Sequence, residues 1–496
     1  MSEENTSVSE QKAGVTEATV ITEDVLGQIL SNVDVTHQQR VKDELKEYID
    51  SLMQGQTVAA DALNAIDIQM ARIDELLSAQ MNEILHDEKF QKIESTWRGL
   101  KYLVDQSETN EMLKIKVMNI SKKDLLKDLK NAVEFDQSAM FKKIYEEEYG
   151  TAGGSPFGAL VGDYTFNVGN NEDMTILEHM SGIAAASHAP FITAPSPKSF
   201  GFESYEKLAD PRDLAKIFDK TLNPDMIRWN SFRDSDDSRY VGLCMPRILL
   251  RLPYGDSGEQ VEMFDFQESV DGTDHSKYLW GNAAWALAAR MTDAFSKYGW
   301  CVNITGREGG GTVEGLPVHT FKTDSGDISY KCPTEIAITD RRDNELDNLG
   351  FIPLCHYKDT NYAVFFKTHS AQKPVKYDNP DASANAELSV HLTYLMAVSR
   401  FAHYMKVILR DKLGTLQEGE DIEMFLNKWF SMYTLADPTG AGEKLKSEKP
   451  LREFKVTVKP IEGRPGSYQA DLHLRPHYQL QDINMSLHLV SKVSKK

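Results

Sequence analysis

Hydrophobic positions recur with a helical period through much of the chain. Ile66, Met70, Ile73, Leu77, Met81 and Ile84 keep the spacing of one helix face, and Phe90, Ile93, Trp97, Leu100 and Val104 keep it in a second. Two helices are therefore predicted from Ala60 onward. Their apolar stripes suit either a core of this chain or the surface of a partner chain. A wider stripe runs through Trp280, Ala284, Leu287, Ala288, Met291, Phe295 and Tyr298 and ends at Gly299. It predicts a rod of about 22 residues, roughly 33 Å long. Leu388, Leu392, Leu395, Ser399, Ala402, Met405 and Leu409 mark another long helix, and Asp421 to Tyr433 a shorter one with an acidic start.

Strand signals lie between these helices. Leu160–Tyr164 and Pro190–Ala194 flank a helical pattern over Asp173–Ser187, which gives a β-α-β unit. Leu113, Ile115 and Val117 alternate as in a strand, and Ser121 reads as the N-cap of a helix over Asp124–Val133. Trp300–Ile304, Thr334–Ile338, Ile352–Leu354 and Tyr362–Phe366 read as further strands, with a polar helix over Asp340–Leu349 closed by Gly350. Pro195 to Trp229 reads as mainly helical, and the apolar run Tyr240–Leu252 suits either strand or helix. The chain closes with three alternating segments: Phe454–Val458, Tyr468–Leu474 and Ile483–Leu489. The fold class is α/β in the mixed α+β sense, with a helical N-terminal arm.

Composition narrows the function classes. The chain has 496 residues, enough for more than one domain, and a formal net charge of -20. That acidity argues against sequence-independent nucleic-acid binding, which needs clustered Lys and Arg. Cys244, Cys301, Cys332 and Cys355 lie far apart with no CxxC pair, as expected of reduced thiols. Residues 1–20 are rich in Ser, Glu and Thr and are expected to be disordered. No apolar run reaches 18 residues and no secretory signal stands at the start, so a cytoplasmic protein without membrane insertion is expected.

The chemistry-bearing candidates are weak. Gly306 to Gly311 follows a predicted strand and nearly fits a phosphate-binding loop, but Thr312 stands where the lysine belongs and no helix opens after it. A tight glycine turn is the better reading, and an α/β nucleotide-binding enzyme is the alternative function. The histidines form no HExxH, Ser181 lacks a GxSxG frame, and Asp340, Asp343, Glu345 and Asp347 interleave with Arg341 and Arg342 on one polar helix. A solvated, ion-paired face or a subunit contact is expected there. No catalytic residue, cofactor or metal is predicted.

Two long phrases carry a family resemblance. One is Asp271-Gly272-Thr273-Asp274-His275-Ser276-Lys277-Tyr278-Leu279-Trp280-Gly281-Asn282, and the other runs from Asp340-Arg341-Arg342-Asp343-Asn344-Glu345-Leu346 to Gly350-Phe351-Ile352-Pro353-Leu354. With Trp97-Arg98-Gly99-Leu100, Phe191-Ile192-Thr193-Ala194, Arg247 to Gly255 and Arg475-Pro476-His477-Tyr478, they resemble the large subunit of the type VI secretion contractile sheath, the TssC/VipB (ImpC, EvpB) family. The resemblance implies a structural, non-enzymatic subunit. Such subunits pair with a small sheath subunit and with copies of themselves in a cytoplasmic helical tubule around an inner tube of hexamers, on a baseplate. A recycling ATPase acts mainly through the small subunit.

The expected organisation is residues 1–59 as an N-terminal segment, 60–150 as the helical partner-binding arm and start of the sheath domain, and 151–276 as an outer α/β domain. Residues 277–450 would form the sheath core and 451–496 the inter-subunit strands. Ile66, Met70, Ile73 and Leu77 are the expected small-subunit interface. Glu418, Glu420 and Glu423 are the expected inner-tube contact. Tyr468, Leu472, Leu474, Ile483, Leu487 and Leu489 are expected in strands completed by neighbouring subunits.

Overall fold

The computed structural model describes residues 62–477 apart from 256–257, 259–265, 323–325, 416–417, 439 and 463–467. The chain divides into two compact units. The smaller holds helix α1, Ala62–Leu85, with residues 266–268 of its partner segment. Within it the Asn82 amide donates to the Gln267 carbonyl at 3.3 Å.

The larger unit is built on a parallel sheet. Its first helices are α2, Glu88–Asp105, capped by the Asp87 carboxylate, and α3, Lys122–Asn131, capped by Ser121. Strand β1, Leu160–Phe166, passes through helix α4, Asn171–Ser187, to β2, Phe191–Pro195, which is the predicted β-α-β unit. β3 is Val241–Met245, so the apolar run left open between strand and helix begins as a strand. Helix α5 is Ala284–Tyr298, α6 is Asp340–Asn348 and β4 is Ile352–Pro353. The four strands lie in the order β1-β2-β3-β4, every neighbouring pair parallel.

A parallel sheet buried on both faces needs strands that are apolar at every position. β2 and β3 are buried throughout. Alternate residues serve opposite faces. Phe191, Val241 and Leu243 join Ile176, Leu177 and Ile183 of α4 in one core, and Ile192, Cys244 and Ile352 join Ala284, Leu287 and Met291 of α5 in another. The first core also takes Leu125 and Leu129 of α3 and Phe141, so it extends across the glycine-rich 150–155 turn. Helices α7, Leu392–Lys412, and α8, Gly419–Ser431, build a third core with Trp300 and with strand β5, Leu451–Pro460. β5 pairs antiparallel with β6, Tyr468–Pro476.

Several expected elements shift. The rod predicted from Trp280 starts at Ala284, because Trp280–Gly281 instead pairs with Ile248–Leu249 and the Asn282 side-chain Oδ1 accepts the Ala284 N–H at 2.8 Å. In the stretch Trp300–Ile304, Trp300, Val302 and Ile304 are buried but the segment joins no ladder. Trp300 packs on Phe401 with ring centroids 4.3 Å apart. Thr334–Ile338 supplies one isolated bridge, Thr334 to Ile248. The stretch expected to be mainly helical is a series of 3-10 turns from Pro197 to Met226, each restarted by a fresh cap at Ser196, Ser204, Asp213 or Asn223, followed by a short α-helix over Ile227–Arg233. The stripe from Leu388 is broken by a His369–His391 bridge, so a separate helix over Pro380–Ser389 precedes α7. Of the three C-terminal strands, two form the β5–β6 hairpin, and Ile483–Leu489 lies outside the described residues.

Candidate assembly surfaces

The two signature phrases are structural. His275 lies between Glu206 at 3.0 Å and Glu335 at 3.2 Å, stacked on Trp280 at 4.6 Å. Arg247 grips the Glu335 carboxylate with two bonds of 2.5 and 2.7 Å. Burial alone would raise the Glu335 pKa, but the Arg247 guanidinium and the His275 ring hold its carboxyl at about 2. Glu335 also accepts the Tyr205 N–H at 3.2 Å. A buried charge with this many partners fixes three loops in one register and leaves no carboxylate oxygen for a substrate.

The second phrase folds as α6 and does the same work. Arg342 reaches the carbonyls of Ala209 and Pro211 at 3.4 and 2.5 Å, and Arg341 takes the Arg212 carbonyl. The expected solvated face is thus half wrong. Asp343 and Asp347 are buried, and Asp347 pairs with Lys367 at 3.5 Å. The period of the sequence could have shown this, since Asp343, Leu346 and Asp347 share one helical face.

The glycine loop closes on itself. The Gly306 N–H bonds to the Phe365 carbonyl at 2.7 Å, and the Gly311 N–H to the Gly306 carbonyl at 2.9 Å. Gly306 and Gly310 have φ of 75° and 87°. A Cβ at Gly311 would lie 2.5 Å from the Phe365 carbonyl oxygen, so glycine is there for backbone packing. Thr312–Val313 continues as a strand rather than opening a helix. Among the described residues no three His, Cys, Asp or Glu side chains are grouped to hold a metal ion, and no helix is long and apolar enough to cross a membrane.

Against this interior stands an apolar exterior. On α1, Met70, Ile73 and Leu77 are 54, 45 and 43% exposed, with Ile68 and Leu76 more open still. Ile66 falls in α1, but its side chain lies outside the described residues. On α2, Ile93 and Trp97 are 60 and 68% exposed, while Gly99 on the same helix sits against Trp285 so closely that a Cβ would lie 2.4 Å from the indole. One side of α2 is therefore closed on this chain and the other carries a tryptophan in the open.

The acidic head of α8 is partly committed. Glu418 and Asp421 cap the helix reciprocally, and Glu423 accepts the Val458 N–H of β5 at 2.9 Å. Glu420 is exposed. In β6, Leu472 lies opposite Val456 and Leu474 opposite Phe454. Phe454 in turn stacks on Phe430 of α8 with ring centroids 5.6 Å apart. Tyr468 covers Gly419, where a Cβ would lie 2.8 Å from its ring. This chain's own α8 thus covers the hairpin at Phe454, Val456, Ala470 and Leu474, while Tyr468 and Leu472 stay exposed. Ile483, Leu487 and Leu489 lie outside the described residues.

Comparison with known proteins gives one consistent result. The family model described as EvpB/VC_A0108 tail sheath N-terminal domain matches residues 67–372, and the tail sheath gpW/gp25-like domain matches 381–493. The type VI secretion system sheath protein TssC1 of Pseudomonas aeruginosa is 50% identical over 445 residues, which is 89% of each chain. Two solved structures overlap more loosely. A cryo-EM anti-feeding prophage baseplate covers 64% of this chain and 66% of its own at 10% identity and a TM-score of 0.34. The contracted helical sheath of the same particle covers 63% and 66% at 12% identity and a TM-score of 0.30.

Proposed function

Because the chain belongs to the EvpB/VC_A0108 tail sheath family of type VI secretion, and is a structural sheath subunit rather than an enzyme, we propose that it is the large half of a sheath heterodimer. It pairs with a small sheath polypeptide, and the pairs assemble in the cytoplasm into a helical tubule on a baseplate, around an inner tube that contraction drives forward. The C-terminal strands link neighbouring subunits. The acidic head of α8 faces the inner tube, with Glu420 the residue left to serve it. Recycling runs mainly through the small polypeptide.

The observation that carries this reading beyond family membership is α1. It has 24 residues, and its side chains at Met70, Ile73 and Leu77 stay open to solvent. Contiguous exposed apolar surface marks an interaction site. We place Ile66, Met70, Ile73 and Leu77 against the small polypeptide. Each buried aliphatic side chain is worth roughly 1.5–3 kcal/mol, and a desolvated carboxylate in its place adds a further cost. The double change Ile73→Asp with Leu77→Asp should therefore abolish co-purification of the co-expressed small polypeptide while circular dichroism stays unchanged. Negative-stain microscopy of the wild-type pair should show long tubules. An undisturbed pair in the double variant would take α1 out of the interface.

A further inference from the structure

The four cysteines have different surroundings. Cys244 and Cys355 are buried, and burial pushes both thiols well above their ordinary range. Cys301 donates to the Met291 carbonyl at 3.4 Å, and burial pushes its thiol up to about 12. Buried thiols of this kind are inert. Cys332 is only half-buried, just beyond the strand Ile328–Tyr330, and polar groups close on its sulfur.

The first is the His356 ring, which is hydrogen-bonded to the Cys332 thiol. His356 belongs to the short strand Cys355–His356, paired antiparallel with Ala363–Val364. Alternation along a strand sends neighbouring side chains opposite ways. Cys355 joins the core with Leu349 and Phe351, and His356 faces outward to Cys332. The ring is held from its far side by the Thr360 carbonyl, 2.8 Å from Nε2. A carbonyl only accepts, so Nε2 keeps a proton in either charge state, and Nδ1 is the nitrogen that gains or loses one. Tyr330 lies beside the ring with centroids 6.4 Å apart, and its hydroxyl donates to Asp359 at 2.9 Å. The second group is the Thr334 hydroxyl, 3.2 Å from the sulfur and 3.0 Å from the Ile336 carbonyl. It has one proton to give. That proton serves Ile336 while the sulfur is protonated, and it can turn to the sulfur once the sulfur is charged.

A nucleophile, a base within hydrogen-bond reach and a third group that orients the base together make an activated thiol. Burial alone would raise the Cys332 thiol, but the His356 ring and the Thr334 hydroxyl hold it below its ordinary value. Burial likewise opposes charge on His356, yet the bonds to Cys332 and to the Thr360 carbonyl, with Asp359 nearby, raise the ring. Both shifts favour thiolate beside imidazolium. We propose that Cys332 is a peroxide-reactive modification site, with His356 as its proton partner and the Thr360 carbonyl positioning the ring. The substrate class is a hydroperoxide, ROOH, of which hydrogen peroxide is the smallest. The thiolate attacks the terminal oxygen, and an S–O bond forms as the O–O bond breaks. The bonding pair leaves with the RO fragment, which takes the proton of the His356 imidazolium and departs as ROH. Sulfur is oxidised by two electrons to the sulfenic acid, the peroxide is reduced by two, and His356 ends neutral. The site is independent of the surfaces proposed for assembly.

The test uses the full chain as it purifies. Iodoacetamide alkylation of each cysteine is followed by mass spectrometry from pH 5 to pH 9.5, in the wild type and in His356→Gln. We expect the Cys332 rate to reach half its maximum below the ordinary thiol value of about 8.5. His356→Gln should move that midpoint up to about 8.5 or higher and slow the reaction at pH 7 by roughly fivefold or more. At pH 9.5 both thiols are ionised and the two proteins should react alike, which separates ionisation from access. Hydrogen peroxide followed by dimedone should place the sulfenic-acid adduct on Cys332, roughly tenfold or more above the other three cysteines. Dithiothreitol added before the dimedone, or the change Cys332→Ser, should abolish it. A wild-type midpoint at or above about 8.5 would overturn the proposal. So would a midpoint unmoved by His356→Gln, a Cys332 unreactive even at pH 9.5, or an adduct spread evenly over the cysteines. If His356→Gln does not fold, the wild-type midpoint and the position of the adduct still decide.

Discussion

Asp343 is a buried carboxyl with too little compensation. It lies four residues from Asp347 on one face of α6, and its closest partner is the Cys355 thiol, which donates to it at 3.5 Å. Burial first, and then the Asp347 charge, push its pKa up to about 6. A carboxyl raised in the folded state binds its proton more tightly there than in the unfolded chain. Its contribution is therefore fully present below the unfolded value near pH 4 and is lost as the pH rises through 6. The substitution Asp343→Asn keeps the shape and the acceptor for Cys355 but removes the titration. It should leave stability unchanged below about pH 4 and raise it by about 1–2 kcal/mol at pH 7, read from denaturant melts across the pH range. Equal stability of the two proteins at pH 7 would mean that Asp343 is already well solvated. His391 and His403 tilt the chain the other way. Burial lowers their pKa to about 3 and about 4, so the stability they hold as neutral rings is lost as the pH falls from 6.5. Both variants retain these rings, and the difference between them isolates the carboxyl.

Helix α8 separates what a charge does inside the chain from what it offers outside. The sequence marks Glu418, Glu420 and Glu423 as one acidic head, and in that respect the element was legible. Its division of labour was not, because the use of Glu423 depends on where β5 passes, some 35 residues later. Removing a carboxylate that holds a main-chain N–H costs about 1–2 kcal/mol. Glu423→Ala should lower the melting temperature by several degrees, while Glu420→Lys should leave it unchanged and, on the inner-tube proposal, stop extended, loaded sheaths from assembling. Dynamic sheaths of normal length in cells carrying Glu420→Lys would remove α8 from that contact. The same rule explains the other elements. Strands and helices whose periods were local, such as β1-α4-β2 and the capped α3, were readable in the sequence. Boundaries set from a distance were not. Trp280 reads as part of a helix until Leu249 claims it as a strand partner, and the stripe from Leu388 reads as one helix until His369 bridges His391. Leu113–Val117 alternates in the sequence as a strand does, but among the described residues it joins no sheet, and Val117 is exposed.

At the scale of the molecule, the C-terminal region divides at Pro476. Before it, β5 and β6 belong to the body. Leu451 and Val456 are buried in one core with Phe401 of α7 and Phe430 of α8. Removing residues 451–496 would open those rings to water, and each buried large apolar side chain is worth roughly 1.5–3 kcal/mol. Such a truncation should melt early or fail to fold. Truncation after His477 is a different matter. His477 still bonds to the Lys449 carbonyl at 3.0 Å, and the third core remains whole, so this chain should melt as the full one does. What it lacks is Ile483, Leu487 and Leu489, the alternating segment proposed to join a neighbouring subunit. On that proposal the shorter chain still co-purifies with the small polypeptide, since α1 is intact, but forms no tubules under negative stain. Normal tubules from the chain ending at His477 would take the last segment out of assembly. A fall in melting temperature on losing residues 478–496 would instead assign that segment to this chain's own sheet, extending β6 and leaving subunit coupling to the surfaces of α1 and α2.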